Sequence, residues 1–435
     1  MQNIRPFQIA LLALFAIMGV VSVILLASFE GFMGSEENVY GERVIVWGTF
    51  SAGSMESALQ RIANDVEGFR VVEYVEKDSR TFAEEFTNAL AENRGPDVVI
   101  FPHEEFVSFR PKLLPVPYDS YPDRTFRDRF IDGGEIFARL DGIYAFPFAV
   151  DPVVMYWNRD LFSTNGLSQP PASWETLVGS VVPQIAERDG FRNIVQAAVA
   201  FGEYANITNA KPMLLTLAMQ SGSRLVTEEE RGYRVVLDKP ATDGGRPPMN
   251  AALQFYTDFS NANSSLYTWN GSMDNDRLAF VGGKLAIYFG YGSERTSIAD
   301  QNPNLNFDAA VVPQGASATV KRVYGTFYGI AITRASRNPQ GSYAAVQTLV
   351  QSEVATPIAV ELGLAPATRD GIAAGSGDAH QQIVYQSALI ARGWLDPDPE
   401  ASGGVFKQMV EDVVSSRKKV AGAISDAVRR LELAF

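Results

Sequence analysis

The chain has 435 residues, 46% of them hydrophobic and 20% charged, enough apolar material for two folding units and too much for wholesale disorder. Its formal charge of −13 excludes a nucleic-acid partner, because phosphate binding needs a basic surface, and argues against adhesion to anionic lipid. With no cysteine, disulfides and thiol catalysis are excluded, and a structural zinc site lacks its commonest ligands.

From Ile9 to Ala27 every residue is apolar or glycine except Ser22. At ~1.5 Å per residue a helix of that length spans nearly ~30 Å, the thickness of a bilayer core. Leu26-Ala27-Ser28-Phe29 resembles a bacterial lipoprotein cleavage box with Phe29 where the lipidated cysteine would stand, so lipidation is excluded. Arg5 precedes the span and Glu30, Glu36 and Glu37 follow it, which predicts a cytoplasmic N-terminus and an extracytoplasmic body. Residues 7–29 are therefore expected to be a single-pass anchor in the cell membrane. A long signal peptide cut near Ala27 or Ser28 is the alternative. Residues 30–42, rich in Gly and Glu, read as a tether.

The body alternates strand and helix patterns. Arg43–Trp47 is a strand that runs into the small polar loop Gly48–Ser54 and a helix over Met55–Val66. Phe69–Glu76 and Asp97–Phe101 are further strands, with an amphipathic helix over Thr81–Glu92 between them. This alternation predicts parallel strands with right-handed crossovers. The stretch Tyr144–Phe162 contains a buried-strand pattern, Val153–Trp157, with a lone acid, Asp151, just before it. Asn158-Arg159-Asp160 supplies a turn into a helix, and Ser173 stands as the N-cap of the next one. Asn193–Ala200 is a strand, followed by the polar-aromatic loop Phe201–Asn209 and helices over Lys211–Ser221 and Asn250–Ser260. Thr227–Asp243 reads as a charged surface excursion. Leu285–Phe289, Phe307–Val312 and Tyr328–Thr333 are strands, and from Ser342 onward the pattern is mainly helical.

Catalytic motifs are scarce. Only His103 and His380 are present, no G-x-S-x-G elbow occurs, and His103-Glu104 opens like a zincin motif with Val107 where the second His belongs. Asp396-Pro-Asp398-Pro-Glu400 lacks the glycine of a calcium loop and reads as solvated. No cofactor or metal site is expected. What recurs is a set of aromatic and small polar residues at strand ends: Thr49, Phe50 and Ser51; Asp151; Tyr204 and Asn206; Tyr291 and Ser293; Tyr324 and Phe327; and Trp394. Singly, each aromatic suits core packing, and Asp151 suits a satisfied structural acid. Together they have the mixture of small-molecule sites, where rings stack on planar or sugar faces and polar groups orient hydroxyls.

Four segments carry a family resemblance. They are Tyr144–Phe162 followed by Pro170-Pro171-Ala172-Ser173-Trp174-Glu175; Ala279–Ile287 followed by Gly290-Tyr291-Gly292; Gly325–Ile332; and Gly363–Asp370. In this order and separation, from about Arg43 to the C-terminus, they resemble extracytoplasmic solute-binding proteins of bacterial ABC importers. The similarity is to the carbohydrate-binding family that includes maltose-binding protein. Departures are Gly290–Ser293, which lacks the usual Trp, and Phe101-Pro102-His103, which lacks the usual Asp/Gly-rich loop.

The resemblance implies an α/β, two-lobed periplasmic-binding-protein-like (type II) fold with an inter-lobe cleft, preceded by the N-terminal transmembrane helix. One lobe is expected to comprise residues 43–147 plus 294–338, the other 148–293 plus 339–435. It also implies a monomeric, non-enzymatic receptor that closes on a small solute and delivers it to ABC permease subunits. Asp151 stands where the family places a sugar-binding carboxylate, Tyr291 falls near a cleft aromatic, and His103 lies in a cleft loop. A saccharide is the leading ligand. A polyamine, an anion or a metal complex remains open, as do a glycan-active hydrolase with two cleft carboxylates and an orphan sensor or adhesion module.

Overall fold

A computed structural model of the protein describes residues 39–229, 232–240 and 245–435. The expected anchor, 7–29, and most of the tether lie outside the described residues. Among those described, no helix is long and apolar enough to cross a membrane.

The first unit is parallel, as the alternation predicts. β1 (Val44–Gly48) runs into α1 (Ala52–Asp65), which buries Met55, Ala58, Leu59 and Ile62 along one stripe at helical spacing. β2 (Val72–Glu76) and β3 (Val98–Pro102) flank β1 and run parallel to it, with α2 (Phe82–Ala91) between them in sequence. β3 has its first four residues buried, and alternate side chains enter different clusters. Val98 and Ile100 join Val44, Val46 and Ala58, while Val99 and Phe101 join Phe86 and Phe109.

β4 (Phe146–Asn158) is far longer than the pattern Val153–Trp157 suggests. Asn158 caps the following helix through its side chain, which accepts from the Asp160 and Leu161 amides at 3.0 Å each. Ser173 caps as expected, accepting from the Thr176 amide at 3.2 Å. β5 (Ile194–Val199) and α3 (Ala210–Gln220) follow. The expected surface excursion contains an antiparallel hairpin, β6 (Val226–Glu229) and β7 (Gly232–Val235). The chain continues through α4 (Pro248–Asp258), α5 (Asp276–Val281), β8 (Leu285–Tyr291), α6 (Glu294–Gln301), β9 (Phe307–Ala310) and β10 (Val323–Ile332). Six helices then follow: α7 (Pro339–Leu349), α8 (Ser352–Glu361), a short one at Arg369–Ala373, α9 (Ala379–Ile390), α10 (Pro399–Val414) and α11 (Val420–Glu432).

One curled sheet joins the two lobes in the order β2-β1-β3-β10-β4-β8-β5. β4 is shared between them. Its residues Phe146–Pro152 pair with β10, which also pairs with β3, whereas Val153–Trp157 pair with β8 and Met155–Asn158 with β9. The strand changes partner between Pro152 and Val153.

This pairing bears on the division of the chain. β9 lies against the second half of β4, and α6 buries Ile298 in the cluster that holds Val154 and Tyr288. Conversely, Ala345, Val346, Ala355 and Ile358 of α7 and α8 pack with Val44 and Met55. The packing therefore supports a division in which 294–322 goes with the second lobe and about 339–364 with the first. α7 and α8 follow β10, which runs from the change of partner beside Pro152 along β3, so they pack on the first half of the sheet.

Gly133 makes the close approach that lets the segment before β4 lie on β10. A Cβ there would collide with the Phe327 ring and stand 2.7 Å from the Ala391 carbonyl oxygen. Gly133→Ala is expected to cost about 1–3 kcal/mol of stability by overpacking, measured as a lower urea midpoint at unchanged m-value.

Candidate functional site

Side chains converge where β4 changes partner. Thr326 of β10 is the register partner of Asp151, and Tyr291 of β8 is the partner of Val153. Directly opposed residues share a face, and so do residues two apart along a strand, so Asp151, Thr326 and Tyr291 all present to one side of the sheet. The next positions, Val150 and Phe327, face the other way, and Phe327 is fully buried against Gly133.

Glu104 lies at the centre. Its Oε1 accepts from the Tyr324 hydroxyl at 2.6 Å and from the Thr326 hydroxyl at 2.8 Å, and Thr326 Oγ1 is 3.4 Å from the Tyr291 hydroxyl. Its Oε2 stands 3.1 Å from His103 Nδ1. His103 is fully buried, and burial holds it below the ordinary imidazole range, so the ring is neutral. The Phe327 amide approaches Nδ1 at 3.1 Å and the Trp394 amide approaches Nε2 at 3.2 Å. A neutral ring accepts at only one nitrogen. With Glu104 Oε2 beside Nδ1, the consistent arrangement has Nε2 accepting from Trp394. His103 thus ties three segments together and reaches the cleft through Glu104 and through the Tyr324 hydroxyl, 3.5 Å from Nε2.

Asp151 is 5% exposed. The Ser293 hydroxyl donates to Oδ2 at 2.6 Å and the Ser293 amide to Oδ1 at 3.2 Å. Burial outweighs these bonds and pushes the carboxyl up to about 7. The Gly292-Ser293 turn is pinned on its other side, where the Gly292 carbonyl accepts from the Tyr156 hydroxyl at 3.0 Å and lies 2.9 Å from His380 Nε2. The Tyr291 hydroxyl is raised, first by burial and then by the Glu104 charge. Phe50 packs its ring 4.8 Å from that of Tyr328, while Thr49 is half-buried and Ser51 exposed at the start of α1.

The facing wall comes from α3 and the loop before α10. Asp396, expected to be solvated, is fully buried and pairs with Lys211 Nζ at 2.6 Å, which also donates to Ser402 Oγ at 2.6 Å. Lys211 Nζ lies 5.6 Å from the centre of the Trp394 ring, whose indole N–H is buried and without a partner among the described residues. Asp396 is raised by burial, with Lys211 opposing the shift and Glu104 adding to it. Glu105 is pushed up to about 7 by burial and by the charges of Glu104, Asp396 and Asp398. Tyr204 is half-buried beside this wall, pushed up to about 12 by burial and the Asp396 charge.

Of the residues expected from sequence, Asp151, Tyr291, Ser293 and Tyr324 come together, and His103 and Trp394 adjoin them. Asn206 does not join them. Its amide is consumed by the Asn270 and Met273 carbonyls at 3.0 and 3.1 Å, and its oxygen by the Trp269 indole. Phe327 is core. Sequence reasoning missed Glu104, Lys211 and Asp396. Glu104 was masked by its resemblance to a broken zinc motif, and no local pattern links Lys211 to Asp396. Among the described residues no cluster of potential metal ligands occurs.

The arrangement can orient hydroxyl donors at carboxylates beside aromatic faces. Residues 52–356 match the family described as bacterial extracellular solute-binding protein. The chain is 20% identical over 296 residues to proteins of Brucella abortus (strain 2308) and Brucella suis biovar 1 (strain 1330) named as binding proteins, the match spanning 66% of this chain and 66% of theirs. A cyclo/maltodextrin-binding protein complexed with maltotetraose superposes with a TM-score of 0.71 at 15% identity, over 90% of this chain and 96% of that one. An ABC-transporter solute-binding protein of Thermotoga lettingae TMO bound with alpha-D-tagatose gives a TM-score of 0.64 at 16% identity, over 91% and 100%. At these identities the two structures establish a shared two-lobed fold, and the extent of the family match establishes membership: the chain belongs to the bacterial extracellular solute-binding protein family.

Proposed function

We propose that the protein is the receptor of an ABC importer, that it binds a saccharide in the cleft without converting it, and that residues 7–29 hold it to the outer face of the cell membrane. The observation that carries the ligand class is the Glu104 cluster. A carboxylate whose Oε2 meets only His103 stands beside the tyrosines 291 and 324, with Asp151 on the same face of the sheet. Hydroxyl groups donate to carboxylates, and sugar rings stack on aromatic faces. The sugar ligands named for the two structural neighbours support the same reading. Hinge closure would bury the ligand between lobes, and the permease would read the closed surface.

Titration calorimetry against maltooligosaccharides and monosaccharides tests the assignment. At least one sugar should bind saturably and be recovered unhydrolysed, and binding by none of them would overturn it. Glu104→Gln, which keeps the shape but loses the charge, should weaken that sugar by roughly 10- to 100-fold, in line with a charged hydrogen bond of about 1.5–3 kcal/mol, while circular dichroism stays unchanged.

Asp151 gives a pH signature. Its carboxyl is raised to about 7, so between the ordinary carboxylate range and that value the folded protein holds a proton that the unfolded chain has released. Stability should therefore fall as pH rises through this window. Glu105 contributes in the same direction. Asp151→Asn should flatten part of that slope in chemical unfolding. Sugar affinity should rise with pH through about 7 in the wild type, as the accepting carboxylate forms, and lose that rise in the variant.

A further inference from the structure

A cavity of about 520 Å³ shares Trp394 with the cleft wall but has neither Glu104 nor Asp151 in its lining. Gly133 lines it, and Gly133 abuts Phe327, the β10 residue that faces away from the cleft. One wall comes from the segment 127–139 before β4. The other comes from the end of α3 and residues 223–226, from Arg322 just before β10, and from residues 392–395. Both lobes thus contribute to it.

The lining is basic in a chain whose net charge is −13. Five arginines, 127, 139, 224, 322 and 392, line it with two carboxylates, Asp132 and Glu135, and Glu228 stands 3.3 Å from Arg139 just outside the lining, so positive charge is in excess. The carboxylates are already engaged. Asp132 holds Arg369 at 2.6 Å and Arg392 at 2.7 Å, and Glu135 holds Arg127 at 2.5 Å. Among the described residues no carboxylate lies within ion-pairing distance of Arg224 or Arg322. Two donors in the lining, Arg139 Nε and Ser223 Oγ, are buried without a partner. Burial first, and then the neighbouring Arg322 guanidinium, hold Arg392 below the ordinary arginine range.

Unsatisfied buried donors and mutually repelling guanidinia are both costly, and a multivalent oxyanion would relieve both. Guanidinium forks match phosphate and carboxylate oxygens two at a time, and the volume admits a molecule larger than a single ion. We propose that this cavity is a second binding site, for a small oxyanion carrying two or more phosphate or carboxylate groups, held by Arg224, Arg322 and Arg392 with Arg139 and Ser223.

The test titrates inorganic pyrophosphate and, separately, citrate into the purified full chain, with ionic strength matched by sodium chloride. Saturable one-to-one binding of either probe is expected, with a rise in the thermal midpoint that chloride alone does not give. A double variant, Arg224→Gln with Arg322→Gln, should weaken binding at least ~10-fold, since each loses a charge-assisted contact. Its unliganded melting midpoint should stay level or rise, because the repulsion between Arg322 and Arg392 is relieved, and its affinity for any cleft sugar should stay as in the wild type. Arg322→Lys, which keeps the charge and loses the fork, should fall between the two. The proposal is overturned if neither probe saturates, or if the double variant binds as tightly as the wild type.

Discussion

The sharing of β4 between two half-sheets is the constraint on which the rest depends. A strand in a sheet needs its backbone groups paired along its length, and this strand obtains them from β10 up to Pro152 and from β8 and β9 beyond it. Pro152 has no amide hydrogen to place at the change of partner, and its carbonyl accepts from the Gly292 amide at 3.0 Å. The backbone break that separates the lobes is thereby closed by the same turn that carries Tyr291 and Ser293. Cleft chemistry and hinge geometry are one piece of structure. Altering the turn changes both.

This explains why the acids tolerate their surroundings. Asp151, Glu104 and Asp396 each lose most of their water, and a lone ionised carboxylate in such a place would be strongly disfavoured. Each is compensated differently. Asp151 takes two donors from one neighbour, Ser293, whereas Glu104 takes hydroxyls from Tyr324 and Thr326 and stands against His103. Asp396 pairs with Lys211 and accepts from the Ser402 hydroxyl and the Asp398 amide. Asp396 therefore serves the wall of the cleft more than its chemistry. Glu104 keeps the oxygen with the fewest commitments.

Strand and helix alternation, the cap at Ser173 and the central place of Tyr144–Phe162 were all legible in the sequence, because they rest on local periodicity and turn chemistry. The full extent of β4 was not. Phe146–Pro152 contains two prolines and an acid, which break a strand pattern locally but are tolerated where pairing partners change. The lobe assignment of α7 and α8 was equally hidden, since a helical stripe records that a face is buried and not against what. Asn206 shows the converse. An amide in a polar-aromatic loop looked available, and the structure spends it on the backbone of residues 270–273. Lys211 and Asp396 are 185 residues apart, so no sequence window could join them.

Thr326 and Phe327 are adjacent in β10, yet one faces a cluster of carboxylates and the other faces the wall of an arginine-lined cavity. The alternation of a single strand is enough to separate them. A net charge of −13 summed over the chain describes neither environment. It excludes a broad basic surface, which is a statement about large partners. It does not bear on a cavity whose walls are a few side chains thick, where nearby guanidinia outweigh distant acids because the Coulomb energy falls with distance and is screened by solvent beyond about 10 Å. The two environments are therefore set locally, by which face of β10 a side chain occupies.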